Sequence, residues 1–88
     1  MINVLFVCLG NICRSPMAEA IFRDLLEKEQ LSGKITVDSA ATSSWHIGSP
    51  PHKGTVTILK KYNISSAGLV GRQLQKEDFK KFEYIVGM

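Results

Sequence analysis

The stretch Val7-Cys8-Leu9-Gly10-Asn11-Ile12-Cys13-Arg14-Ser15-Pro16 decides how the rest of the chain is read. Before it runs the apolar segment Ile2 to Val7, which suits a strand buried on both faces. After it, Ala18, Ile21, Phe22 and Leu25 follow the i, i+3, i+4, i+7 spacing of a helix. Ser15 is placed to cap that helix and Pro16 to occupy its first position. The pattern is strand, tight loop, helix N-terminus, which aims backbone N–H groups and the positive end of a helix dipole at one point. Such a loop holds an oxyanion, with phosphate the natural fit.

Outward from the loop, the helix is expected to fade near Leu31-Ser32-Gly33, and Ile35 to Ser39 reads as a second strand. The small residues Ala40 to Ser44 read as loop, continuing through Trp45-His46-Ile47-Gly48-Ser49-Pro50-Pro51. Thr55, Ile58, Leu59 and Tyr62 have helical spacing, with Asn63 as a stop. A short helix is expected around Lys76 to Phe82, then a third strand from Tyr84. Strands alternating with helices mean an α/β fold: three layers, a mainly parallel sheet with flanking helices, and a phosphate-binding loop after the first strand. The third strand runs straight into Met88, so the fold is expected to be incomplete at the C-terminus.

At 88 residues the chain is one small domain at most, and its 44% hydrophobic and 22% charged composition is that of a globular protein. No apolar run approaches a membrane span and no signal-type N-terminus is present, so a cytoplasmic setting without membrane contact is expected. The net charge of +3 comes from scattered pairs such as Lys60-Lys61 and Lys80-Lys81, which argues against nucleic acid while favouring an anionic substrate. Cys8 and Cys13 lie too close to staple a fold and lack the partners of a zinc site, and the chemistry requires neither metal nor cofactor.

Within the loop, Gly10 admits backbone conformations other residues resist, and Asn11 tolerates the left-handed region. Arg14 offers a planar fork for two phosphate oxygens. Cys8, under the same N–H groups, gains a stabilised thiolate and becomes a nucleophile, with Ser15 close enough to hydrogen-bond its sulfur. Cys-x5-Arg alone favours a buried structural cysteine, but the strand before it, Gly10 and Asn11 inside it and the helix after it reverse that balance.

Cys8-Leu9-Gly10-Asn11-Ile12-Cys13-Arg14-Ser15-Pro16, followed by Met17-Ala18-Glu19-Ala20, resembles the signature of the low-molecular-weight protein tyrosine phosphatases. The likeness extends through Ser39-Ala40-Ala41-Thr42, Trp45 to Pro51, Arg72-Gln73 and Asp78-Phe79 to Tyr84-Ile85-Val86-Gly87-Met88, a little over half of the family's usual length. It implies one incomplete phosphatase-like domain over residues 1–88 that hydrolyses phosphotyrosine in proteins through a cysteinyl-phosphate intermediate. Cys8 would be the nucleophile, Arg14 the transition-state clamp and Ser15 the thiolate's helper. Leu9, Gly10, Asn11, Ile12 and Cys13 would cradle phosphate, and Trp45 would line the cleft. For Trp45 the alternative is a core residue; its small and polar neighbours favour the cleft. Cys13 is either a small filler or, as the resemblance implies, the partner of a reversible disulfide with Cys8.

Ile12 stands where phospho-arginine phosphatases of similar loop carry threonine, which favours phosphotyrosine. Leu69 stands where many members have a histidine that bonds the loop asparagine. His46 and His52 have no spacing that ties them to Cys8, and Arg72 is expected in a structural ion pair. The family's general acid is an aspartate farther along than Met88, and Asp24, Asp38 and Asp78 match no part of its loop. Reduced turnover and self-association through uncovered apolar surface are therefore expected of these residues alone. The alternatives are a non-catalytic anion-binding fragment, or arsenate reduction on the same fold, which needs further cysteines.

Overall fold

Strand β1 (Ile2–Cys8) lies at the centre of a three-stranded sheet, with β2 (Ile35–Ala41) on one side and β3 (Tyr84–Gly87) on the other, both parallel to it. The computed structural model describes residues 1–88. Helix α1 (Arg14–Lys28) connects β1 to β2, while α2 (Lys53–Lys61) and the single turn α3 (Asp78–Lys81) lie between β2 and β3.

Alternation along β1 sends its side chains to two faces. On one, Leu5 and Val7 pack with Ala40, Phe82, Leu74 and Ile85. On the other, Phe6 meets Phe22 of α1, ring centroids 5.7 Å apart. The sheet is thus sandwiched between α1 and the segment that carries α3, in the layers expected. Helix α2 packs on α1 instead of the sheet, through Leu59 against Ala20 and Leu69.

Several local expectations are corrected. Helix α1 begins at Arg14, with Cys13 in the N-cap position and no side-chain cap, so Ser15 is the second helical residue and Pro16 the third. Proline is tolerated there because the N–H it lacks is one of the four a helix start leaves unpaired. The buried residues of α1 are Ser15, Pro16, Glu19, Ala20 and Leu26, whereas Ile21 and Leu25 are exposed. The inward stripe is rotated because Glu19 is drawn in: it accepts a hydrogen bond from Ser39 Oγ at 2.5 Å and pairs with Arg23. Burial pushes its carboxyl above the usual range, against the pull of those partners.

Ala40 and Ala41 belong to β2, not to the loop. Their small side chains allow the 72–74 segment to approach, and it adds to the outer edge of β2: Ala41 N–H donates to the Arg72 carbonyl at 2.8 Å, and Leu74 N–H to the Ala41 carbonyl at 2.7 Å. The last helix is shorter than its charge pattern suggests, Asp78–Lys81. In α2, Thr55 and Leu59 are buried while Ile58 and Tyr62 face out, lining with Ile21 and Leu25 an open groove of about 430 Å³. Asn63 stops that helix with a left-handed backbone, φ 58°. No helix is long and apolar enough to cross a membrane.

Candidate active site

Cys8 is the last residue of the central strand and Arg14 the first of α1, so the loop between them is held at both ends by regular structure. Its carbonyls are anchored from outside. Thr42 N–H donates to the Cys8 carbonyl and Ser43 N–H to that of Leu9, each at 3.0 Å, and His52 N–H donates to the Ile12 carbonyl at 2.6 Å. With the carbonyls turned away, the N–H groups are left inward. Those of Gly10, Asn11 and Ser15 face the Cys8 sulfur, and those of Leu9, Ile12 and Cys13 have no acceptor in the protein. This is an anion nest closed by a helix start.

The residue that bends the loop is Asn11, at φ 54°, a conformation asparagine reaches more readily than most residues. Gly10 does not adopt a positive φ. Glycine is favoured there by close approach: a Cβ would lie 3.1 Å from the His46 ring, which would have to shift slightly to admit it. The histidine that sequence spacing left unconnected therefore packs on the loop. Asn11 is 2% exposed, and both ends of its amide are used. Oδ1 accepts from the Arg72 backbone N–H at 3.0 Å, and Nδ2 donates to Ser15 Oγ at 2.7 Å. A backbone N–H must face oxygen, so the amide's orientation is determined.

Ser15 Oγ lies 2.9 Å from Cys8 Sγ. Because that oxygen already accepts from Asn11, its own proton is free for the sulfur, which also receives the Asn11 N–H at 3.2 Å. Burial by itself pushes the Cys8 thiol up, but the Ser15 hydroxyl and the N–H groups of Ser15, Asn11 and Gly10 outweigh it and hold the thiol below its ordinary value. Ser15, inside the first turn of α1, thus directs its hydroxyl to the sulfur. Every buried side-chain nitrogen and oxygen has a hydrogen-bond partner.

Leu9 and Trp45 are exposed, the latter at 72%, which excludes the core alternative for Trp45. Trp45 lies two residues beyond Ser43, whose N–H and hydroxyl both donate to Leu9 O. Ile12 is half-buried. Cys13 is an exposed free thiol and Cys8 a buried free one. Arg14 is exposed and takes part in none of the ion pairs, which join Arg23 to Glu19, Lys28 to Asp24, and Arg72 to Asp38 and Asp78. Its guanidinium is available to an incoming anion. No three His, Cys, Asp or Glu side chains converge to hold a metal.

Leu69, at the position where a histidine would bond the loop asparagine, is buried against Ala20 and Leu59, and Asn11 is held instead by the Arg72 peptide. Arg72 forms the ion pairs expected of it. Its backbone contact to Asn11 had no signal in spacing, since the two residues are brought together only by the tertiary fold.

The sequence profile described as low molecular weight phosphotyrosine protein phosphatase matches residues 3–88. The low molecular weight protein-tyrosine-phosphatase YfkJ of Bacillus subtilis is 60% identical over 88 residues, covering 100% of this chain and 56% of that protein. The low molecular weight phosphotyrosine protein phosphatase of Schizosaccharomyces pombe is 52% identical, covering 99% of this chain and 56% of its own length. The crystal structure of YfkJ superimposes with a TM-score of 0.98, covering 100% of this chain and 55% of that one. The chain spans about half the length of these relatives.

Proposed function

The chain belongs to the low molecular weight phosphotyrosine protein phosphatase family, and from that premise we propose that its loop performs the covalent half of phosphotyrosine hydrolysis, with Cys8 as nucleophile. The observation that carries this reading is the set of donors around the Cys8 sulfur, the Ser15 hydroxyl at 2.9 Å and the N–H of Asn11 at 3.2 Å foremost. They make a thiolate at the bottom of an anion nest, where a bound phosphate would present its phosphorus.

The thiolate attacks that phosphorus: an S–P bond forms, the P–O bond to the tyrosine breaks, and the electron pair leaves with the phenol oxygen, which takes up a proton from solvent. Water then attacks the phosphocysteine, the S–P bond breaks, and inorganic phosphate departs while the electron pair returns to sulfur. Ser15 donates to that sulfur and makes it a better leaving group. The N–H groups of the loop and the Arg14 fork carry the charge on the equatorial oxygens in both steps. Exposed Trp45 offers an aromatic wall for the tyrosine ring, and Ile12 in place of threonine supports phosphotyrosine over phospho-arginine. Cys13, free and exposed, is the candidate partner for reversible oxidation of Cys8.

Asp24, Asp38 and Asp78 are each engaged in an ion pair and match no part of the family's acid-bearing loop, so none of them is assigned to protonate the leaving phenol. A phenol with a pKa of about 10 leaves slowly as its anion, and a positioned acid contributes about 10²–10⁴-fold. These residues alone are therefore expected to turn over aryl phosphates slower than YfkJ by about that factor. The same observation favours, as a second reading, an anion-binding unit without turnover. Cys8→Ser separates the two: it abolishes the slow hydrolysis of an aryl phosphate if Cys8 is the nucleophile, and hydrolysis that survives the substitution refutes the assignment.

A further inference from the structure

We propose that the ion pair between Arg72 and Asp78 is a positioning device for the nucleophile, holding the peptide that orients Asn11 and, through Asn11, the hydroxyl that Ser15 turns to Cys8. The proposal rests on the reading of Cys8 given above.

Asn11 can place its amide NH2 on Ser15 only if its other end is held, and what holds it is one N–H, that of Arg72 at 3.0 Å. That peptide is itself tightly restrained. The Arg72 carbonyl accepts from Ala41 N–H at 2.8 Å, while Gly71 donates to Ser49 O and accepts from Gly48 N–H, each at 2.8 Å. Gly71 lies so near the His46 carbonyl that a Cβ would come within 2.3 Å of it.

The Arg72 side chain supplies the anchor in the other direction. Its two terminal nitrogens donate to the two oxygens of Asp78, both at 3.0 Å, and Nε donates to Asp38 at 3.3 Å. Asp78 is in turn held by the Gln75 N–H at 2.7 Å. Asp38 is on β2 and Asp78 opens α3, so the guanidinium joins two elements of the face opposite α1 to the peptide that holds the loop. A chain of contacts runs from Asp78 through Arg72, Asn11 and Ser15 to Cys8. No member of the ion pair touches the sulfur, so Arg72 and Asp78 are positioning residues and not catalytic ones.

Positioning and through-space charge predict opposite signs. Neutralising Asp78 leaves the Arg72 charge less compensated, and by charge alone that favours a thiolate; by positioning it slackens Asn11 and Ser15 and disfavours one. The test is the pH profile of Cys8 alkylation by iodoacetamide in the 88-residue chain, with fragment mass spectrometry separating Cys8 from Cys13. Asp78→Asn should move the midpoint up and slow alkylation about three- to tenfold at a pH below it. Asn11→Ala should slow it by about tenfold, and adding Asp78→Asn to Asn11→Ala should slow it no further, because the effect travels through Asn11. An unchanged or lowered midpoint in Asp78→Asn, or effects of the two substitutions that simply multiply, overturns the proposal. Should Asp78→Asn fail to fold, Arg72→Lys loses the bidentate pair while keeping the charge and the backbone N–H to Asn11, and it should likewise move the midpoint up; a midpoint that stays or falls there refutes it equally. The measurement reads thiol acidity and stands apart from turnover, so failure of the phosphatase reading shows separately, as hydrolysis that survives Cys8→Ser.

Discussion

The loop and the flank formed by α1 and α2 invert the ordinary relation between polarity and burial. In the loop, the polar residues Asn11 and Ser15 are 2% and 0% exposed. On the flank, apolar Leu25, Ile58 and Tyr62 are 53%, 46% and 65% exposed. Burying a polar group is tolerable only when its hydrogen bonds are met, and in the loop each is met by a group that also orients Cys8. Exposed apolar groups on the flank have no comparable structural demand on them. The contrast separates residues whose removal should change chemistry from residues whose removal should change little.

The largest effect belongs to the loop. Arg14→Ala should lower kcat for an aryl phosphate by about 10²–10³-fold, as for loss of one oxyanion donor, with little change in melting temperature because Arg14 pairs with nothing in the fold. Next is the buried neighbour of the exposed flank. Leu59 is 1% exposed between α1 and the 69 region, and Leu59→Ala should cost about 2–5 kcal/mol by denaturant titration. Ser15→Ala should slow Cys8 alkylation by about tenfold below the thiol midpoint, since one hydrogen bond to the charged sulfur is lost. At the small end, Tyr62→Ser on the open face should stay within about 0.5 kcal/mol and leave alkylation unchanged. A large effect there would show that the flank is not the passive side.

Two carboxylates sharpen the contrast through pH. Asp78 is held below the usual range by its hydrogen bonds from Arg72, so the stability it contributes is present above the unfolded value of about 3.9 and is lost as pH falls through the lower folded value. Acid unfolding of Asp78→Asn should be flatter over that interval. Glu19, raised by burial, has the opposite sign. The folded chain holds its proton more tightly than the unfolded one, so stability is lost as pH rises from about 4.3 towards the folded value. Glu19→Gln should remove that loss, as read by melting temperature across the same range.

Much of the fold and the site is legible in the residues. The apolar run from Ile2 to Val7 suits a strand buried on both faces, and Cys8, Gly10 to Ser15 and the helical spacing that follows are enough to locate the loop between that strand and α1. What is not legible depends on pairings distant in sequence. Ser15 reads as a cap because it stands just before Pro16, but the helix begins at Arg14, which puts Ser15 in the first turn with its hydroxyl on Cys8. Glu19 has the look of a surface residue until Ser39 and Arg23 meet it. Ala40 and Ala41 read as loop because small residues mark both loops and strands that another segment must approach closely. His46 and the Arg72 peptide reach the loop only through the fold, and no local pattern announces them.

The claim at the centre is that the loop makes Cys8 an activated nucleophile inside an anion site. The most direct measurement is the rate of Cys8 alkylation against pH, with and without orthovanadate. The expected result is a midpoint below the value of about 8.5 for a free cysteine, with strong protection by vanadate. A midpoint at or above that value, with no protection, would contradict it.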